Sequence, residues 1–242
     1  MRRGKKNRKL KLSQKRIIKM KNGKLVPFSF NGNNRFKVSN RENKHDIKTN
    51  VHKIIYKGAT LKNIKFTNSN LTKCNFKSSN IIGIDFMNSN LRNSSFRNAT
   101  IENCIFFAVN LKGVDFKNVS FRNTFFINCD LSQVDNYILN TSSLTIIKCY
   151  PELEISSALT ETIELLMSKE KFKKHFVLTT KSSDGKKVNN WIIYLLLRNF
   201  TEAQLNKAFK RLFLNDTSDS NRYFFTYYSY LNFLSRYYKI ML

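Results

Sequence analysis

Every fifth residue from Tyr56 to Leu131 is large and apolar. Sixteen positions in succession obey the rule: Tyr56, Leu61, Phe66, Leu71, Phe76, Ile81, Phe86, Leu91, Phe96, Ile101, Phe106, Leu111, Phe116, Phe121, Phe126 and Leu131. Two residues before each of these, from Leu61 onward, stands a small or β-branched one, as at Ala59, Ile64, Ser69, Cys74, Val109 and Cys129. A helix repeats every 3.6 residues and a strand every 2, so neither produces this pattern. A chain that turns a corner every five residues does. One large and one small side chain then point inward on each side, and the remaining three face outward or form the corner.

The units SNLTK (69–73), CNFKS (74–78), SNIIG (79–83), IDFMN (84–88), SNLRN (89–93) and CDLSQ (129–133) resemble those of the pentapeptide-repeat family, which read roughly A(D/N)LXX. The resemblance covers about a third of the chain. It implies a mainly β solenoid, a right-handed quadrilateral β-helix of four units per coil and about four coils. At the ~4.8 Å spacing of neighbouring strands such a rod is roughly 19 Å tall. The expected organisation is a basic tail (1–24), a lead-in or cap (25–55), the β-helix (56–135), an end cap or linker (136–155) and a C-terminal α-helical module (156–242). Helices are expected at about 156–175, 188–199, 201–214 and 221–240, with a capping box at Thr201 and Gln204.

Twenty residues per coil stack positions twenty apart. Asn70, Asn90, Asn110 and Asp130 share a column just before the large residue, where their side chains are expected to bond turn backbones. Lys57, Lys77, Arg97 and Lys117 form an outward ladder of cations. Long side chains can fan into solvent, or an anion can relieve their mutual repulsion. A neighbouring pair of outward columns reads Lys65, Asp85, Ile105, Phe125 and Thr67, Met87, Phe107, Ile127. Ile105, Phe107, Phe125 and Ile127 therefore make an apolar patch that either the C-terminal segment or a partner protein should cover.

Charge sharpens the reading. The chain holds 43 Lys and Arg against 16 Asp and Glu, a formal net charge of +27. The excess concentrates at the start, where no acid precedes Glu42. A genome biased toward Lys and Asn codons would raise lysine everywhere but would not remove acids from the first forty-one positions. Arg2, Arg3, Lys5, Lys6, Arg8, Lys9, Lys11, Lys15, Arg16, Lys19, Lys21 and Lys24 make a tail suited to salt-sensitive, sequence-blind phosphate contact.

Catalysis finds little support. His45, His52 and His175 sit in unrelated sequence contexts, and Cys74, Cys104, Cys129 and Cys149 form no CxxC pair or ligand-like cluster. No hydrolase, zincin, P-loop or dinucleotide motif occurs. No catalytic residue, metal or cofactor is expected, nor any membrane span, and a reduced, cytoplasmic setting fits the cysteines best.

The best-understood pentapeptide-repeat proteins bind type II topoisomerases by imitating DNA with an acidic rod. They also dimerise through a C-terminal helix and can confer quinolone resistance. This chain is basic in all its segments, so the mimicry does not transfer, whereas a homodimer through the C-terminal helices remains an expectation. The primary expectation is a non-enzymatic scaffold for nucleic acid or nucleoprotein, using the tail and the basic β-helix face. The alternative is a protein-interaction scaffold, a target-protein modulator or protective, immunity-type factor, using the apolar face and the aromatic-rich C-terminal helices.

Overall fold

The computed structural model describes residues 26–27, 37–134, 143–180, 187–215 and 223–240. Ten strands are all paired in parallel: β1 (Val26–Pro27), β2 (Asn40–Ile47), β3 (Thr49–Asn50), β4 (Thr60–Thr67), β5 (Asn80–Met87), β6 (Thr100–Glu102), β7 (Ile105–Phe107), β8 (Ser120–Arg122), β9 (Thr124–Ile127) and β10 (Leu144–Ile147). Five helices follow among the described residues: α1 (Ser157–Met167), α2 (Glu170–Lys173), α3 (Asn190–Leu197), α4 (Glu202–Leu214) and α5 (Tyr227–Tyr238).

From β2 to β10 the register is twenty residues: Leu61 pairs with Ile81, Phe86 with Phe106, and Phe126 with Ile146. Single bridges repeat the offset on two further sides, Asn50–Asn70–Asn90–Asn110 and Ile55–Asn75–Ser95–Asp115. The coil is thus four-sided. We number the sides by the residues of one turn: the first at 60–62, the second at 65–67, the third at 70–72 and the fourth at 75–77.

Each corner is a residue with left-handed backbone. From Asn43 to Asn128 every fifth residue has positive φ without exception, at 43 to 69°. Ten of these are Asn and three are Gly, the residues that tolerate this conformation best. The abundance of asparagine in this chain therefore has a backbone cause. The residues before the large positions also act as anticipated. The Oδ1 atoms of Asn70, Asn90, Asn110 and Asp130 each accept the N–H two residues on.

Inside, the large residues form vertical piles. Tyr56, Phe76, Phe96 and Phe116 stack at ring separations of 4.8, 4.5 and 5.2 Å. A second pile, Phe66, Phe86, Phe106 and Phe126, meets the first edge-on, with Phe86 at 6.4 Å and Phe106 at 6.3 Å from Phe96. The three repeat cysteines occupy small inward positions, and burial raises their thiol pKa values, so they pack as small apolar groups.

The solenoid has about five turns rather than the four expected. One turn was hidden because Arg41 and Asp46 replace the large apolar residues in β2, in register with Leu61 and Phe66. They form an ion pair of 2.8 Å with only 12% and 14% of their side chains exposed. The rhythm also returns after Val134. Leu144 and Ile146 reoccupy the inward positions, so part of the segment read as an irregular cap is a parallel strand, β10.

The helical elements fall within the expected segments. Thr201 caps α4 in a reciprocal box with Gln204, and Thr226 does the same with Ser229 for α5. Burial on α5 follows one stripe, Tyr227, Tyr230, Leu231 and Leu234.

Candidate binding surfaces

The helical module lies along the second side of the rod instead of on its end. The column of outward residues there changes character along its height. In the upper turns Ile105, Phe125 and Ile127 are buried and Phe107 is half-buried, all within one apolar cluster shared with the helices. The edge of Trp191 meets Phe107 at 6.0 Å, Tyr227 meets Phe125 at 5.8 Å, and the Arg198 guanidinium sits 5.7 Å from the Phe125 ring centre. The apolar patch is therefore occupied by the protein's own C-terminal segment.

In the lower turns the same column is polar: His45, Lys65 and Asp85, with Asn63 at the adjoining corner. The Lys65 ammonium, on a residue only 5% exposed, donates to the carbonyls of His175 (2.7 Å) and Phe176 (3.0 Å), just beyond α2. Asp85, 1% exposed, accepts the backbone N–H of Tyr227 at 2.9 Å, placing a carboxylate at the N-terminus of α5. Asn63 accepts from the Thr226 hydroxyl at 2.7 Å and donates to the Tyr223 carbonyl at 2.9 Å.

Burial dominates the ionisation of this seam. It pushes Asp85 up to about 7, against the pull of Lys65 and the Tyr227 N–H. It pulls Lys65 down to about 8, opposed by Asp85. His45 and His175, far apart in sequence, meet with their Nδ1 atoms 3.0 Å apart, and His45 Nε2 lies 3.1 Å from the Thr67 hydroxyl. Burial, then Lys65 and each other's vicinity, lowers His45 to about 3; burial, Lys174 and Lys65 lower His175 to about 4. Both rings are neutral at pH 7. Though their sequence contexts are unrelated, the two histidines meet in the seam, which joins β2 to the chain after α2. His52 bonds instead to Thr72, at 2.6 Å. Among the described residues no three His, Cys, Asp or Glu side chains are grouped to hold a metal.

The third and fourth sides carry a different surface. Lys57, Lys77, Arg97 and Lys117 follow the four stacked rings of Tyr56, Phe76, Phe96 and Phe116, which hold them one above another, three exposed and Lys77 partly so. Arg97 is paired with Asp115 at 3.1 Å. The third side adds exposed Arg92 and Lys112, and the corner between the two sides adds exposed Lys53 and Lys73. Sequence reasoning found only the first of these columns; the twenty-residue offset would also have found the second. Among the described residues these eight cations face two carboxylates, Asp115 and Asp130, on this double surface. The tail cations Arg2 to Lys24 lie outside the described residues.

These features define a parallel β-solenoid with a helical module docked along one side. Residues 49–126, within the solenoid, match the family model described as pentapeptide repeat region. Several solved pentapeptide-repeat structures match part of the chain. Trypsin-treated QnrB1, a plasmid-mediated fluoroquinolone resistance protein, is 14% identical with a TM-score of 0.32, the match covering 46% of this chain and 58% of that one. Rfr23 from the cyanobacterium Cyanothece 51142 is 13% identical with a TM-score of 0.16, covering 46% and 97%. HetL from the cyanobacterium Nostoc sp. strain PCC 7120, involved in heterocyst differentiation regulation, is 14% identical with a TM-score of 0.15, covering 36% and 48%. No curated protein sequence matches the chain. No helix among the described residues is long and apolar enough to cross a membrane.

Proposed function

We propose that the protein is a non-enzymatic binding scaffold that holds nucleic acid or a nucleoprotein against the third and fourth sides of its solenoid. The observation that carries this reading is the charge asymmetry among the described residues: eight cations against two carboxylates on the two sides that the C-terminal helices do not cover. The rungs repeat every ~4.8 Å, so the cations form a regular lattice that a phosphate backbone can track by charge alone. Twelve further Lys and Arg residues in positions 1–24 extend the same potential. The apolar alternative is less well served, because its patch is already filled from within the chain.

Anisotropy titrations with a labelled oligonucleotide at increasing salt test the reading. Affinity should fall steeply with salt, and replacing Lys57, Lys77, Arg97 and Lys117 by Ser should flatten that slope. Equal affinity and equal slope in the replaced and parent proteins would overturn the assignment of this surface.

A further inference from the structure

A groove of about 530 Å³ opens where α4 and α5 meet the corner between the first and second sides. We propose that it is a site for a free nucleoside monophosphate, distinct from the basic sides of the rod.

Three cations line the groove from three different elements: Lys62 of β4, Arg211 of α4 and Arg236 of α5. The ion pairs among the described residues are Arg41–Asp46, Arg97–Asp115 and Arg122–Glu102, so none of these three is neutralised that way. Glu42 is the one carboxylate among the described residues of the lining. Cations drawn from separate elements toward one concavity favour a compact anion, and guanidinium forks match phosphate oxygens.

Aromatic walls accompany the charge. Helix α5 has two stripes. One, Tyr227, Tyr230, Leu231 and Leu234, is buried against the rod and the other helices. The other, at helical spacing, is Ser229, Asn232, Phe233, Arg236 and Tyr237, and all five line the groove. Phe233 and Tyr237 are half-buried rings, tilted at 31° with centroids 6.1 Å apart. A planar base can rest on an aromatic face, and the Asn232 amide, also in the lining, offers both donor and acceptor to a base edge. Glu42 supplies an acceptor for a ribose hydroxyl or an amino group. The volume lies within the ~300–1,000 Å³ range of small-ligand pockets, which suits one nucleotide and not a continuous strand.

Isothermal titration with AMP, adenosine and inorganic phosphate tests the assignment on the full chain. AMP should bind saturably, adenosine and phosphate at least tenfold more weakly. Arg211→Ala with Arg236→Ala should weaken AMP at least tenfold while leaving the circular dichroism spectrum and thermal midpoint unchanged. Phe233→Leu should weaken AMP without altering phosphate. Replacing Lys57, Lys77, Arg97 and Lys117 should leave AMP binding intact, which separates this site from the polyanion surface whichever of the two fails. No saturable AMP binding at millimolar concentration, or equal AMP affinity in the double arginine variant and the parent, would sink the proposal.

Discussion

Lys65 and Asp85 are register partners on neighbouring rungs, and each side chain ends on a different part of the helical module. The ammonium holds the carbonyls of His175 and Phe176; the carboxylate holds the first N–H of α5. Two opposite charges on one column thus meet the negative and positive ends of backbone segments they face. Apolar packing of Ile105, Phe125 and Ile127 supplies adhesion higher up, and this polar pair fixes the orientation lower down. A burial-driven interface alone would permit sliding along the rod, because its rungs are nearly equivalent.

Acid–base behaviour follows from the seam. Asp85, raised to about 7, binds more protons folded than unfolded between about pH 4 and 7, so its contribution to stability falls as pH rises through that window. His45 and His175, lowered to about 3 and 4, bind fewer protons folded, so their contribution rises with pH up to about 6.5. Asp85→Asn removes the falling component. Urea midpoints should then increase more between pH 4.5 and 6.5 than in the parent protein. An equal or smaller increase refutes the assignment.

Phe96 is flanked by stacked rings above and below and by two edge-on rings from the second pile. Phe96→Ala should cost about 3–5 kcal/mol by denaturant unfolding, since the closely spaced rungs cannot collapse into the gap. A cost below about 1 kcal/mol would mean the column repacks.

Gly83 is the corner on which the Tyr228 ring rests, and a Cβ there would overlap that ring. Its φ of 63° adds backbone strain for any L side chain. Gly83→Ala should loosen α5 and cost about 2–4 kcal/mol, combining overlap with strain. In a Tyr228→Gly background, which removes the Cβ as well as the ring, the same change should cost only about 1 kcal/mol. A double-mutant cycle showing no coupling would argue against the contact.

Corner residues can be tested at Asn88, an exposed residue with φ of 50°. Asn88→Gly should be nearly neutral, whereas Asn88→Val should cost about 1–2 kcal/mol, because a β-branched side chain resists left-handed backbone. Thermal midpoints of the pair check the order.

The solenoid was legible because its inward positions obey a strict rhythm over sixteen units. The additional turn was not, because Arg41 and Asp46 satisfy each other's charge where the pattern demands hydrocarbon. The left-handed corners were visible as a five-residue recurrence of Asn and Gly, yet were read only through the neighbouring column of side-chain bonds. The outward column Lys65, Asp85, Ile105, Phe125 was placed in its correct register. Its apolar half was expected to be covered by the C-terminal segment or a partner, but periodicity within helices does not say how far down the rod they reach. Lys65 and Asp85 were therefore read only as members of an outward column. The His45–His175 contact depends wholly on that docking, and no local signal announces it.

The Arg41–Asp46 pair bears on how such a rod remains a discrete object. Parallel rungs expose unsatisfied edges at both extremities, and a second molecule could in principle continue the ladder there. In the turn of Arg41 and Asp46 a rung of phenylalanine and leucine would have to seal an ionic pair instead of Leu61 and Phe66, a poor seat for hydrocarbon. A polar couple in the interior thus disfavours extension of the apolar pile in that direction.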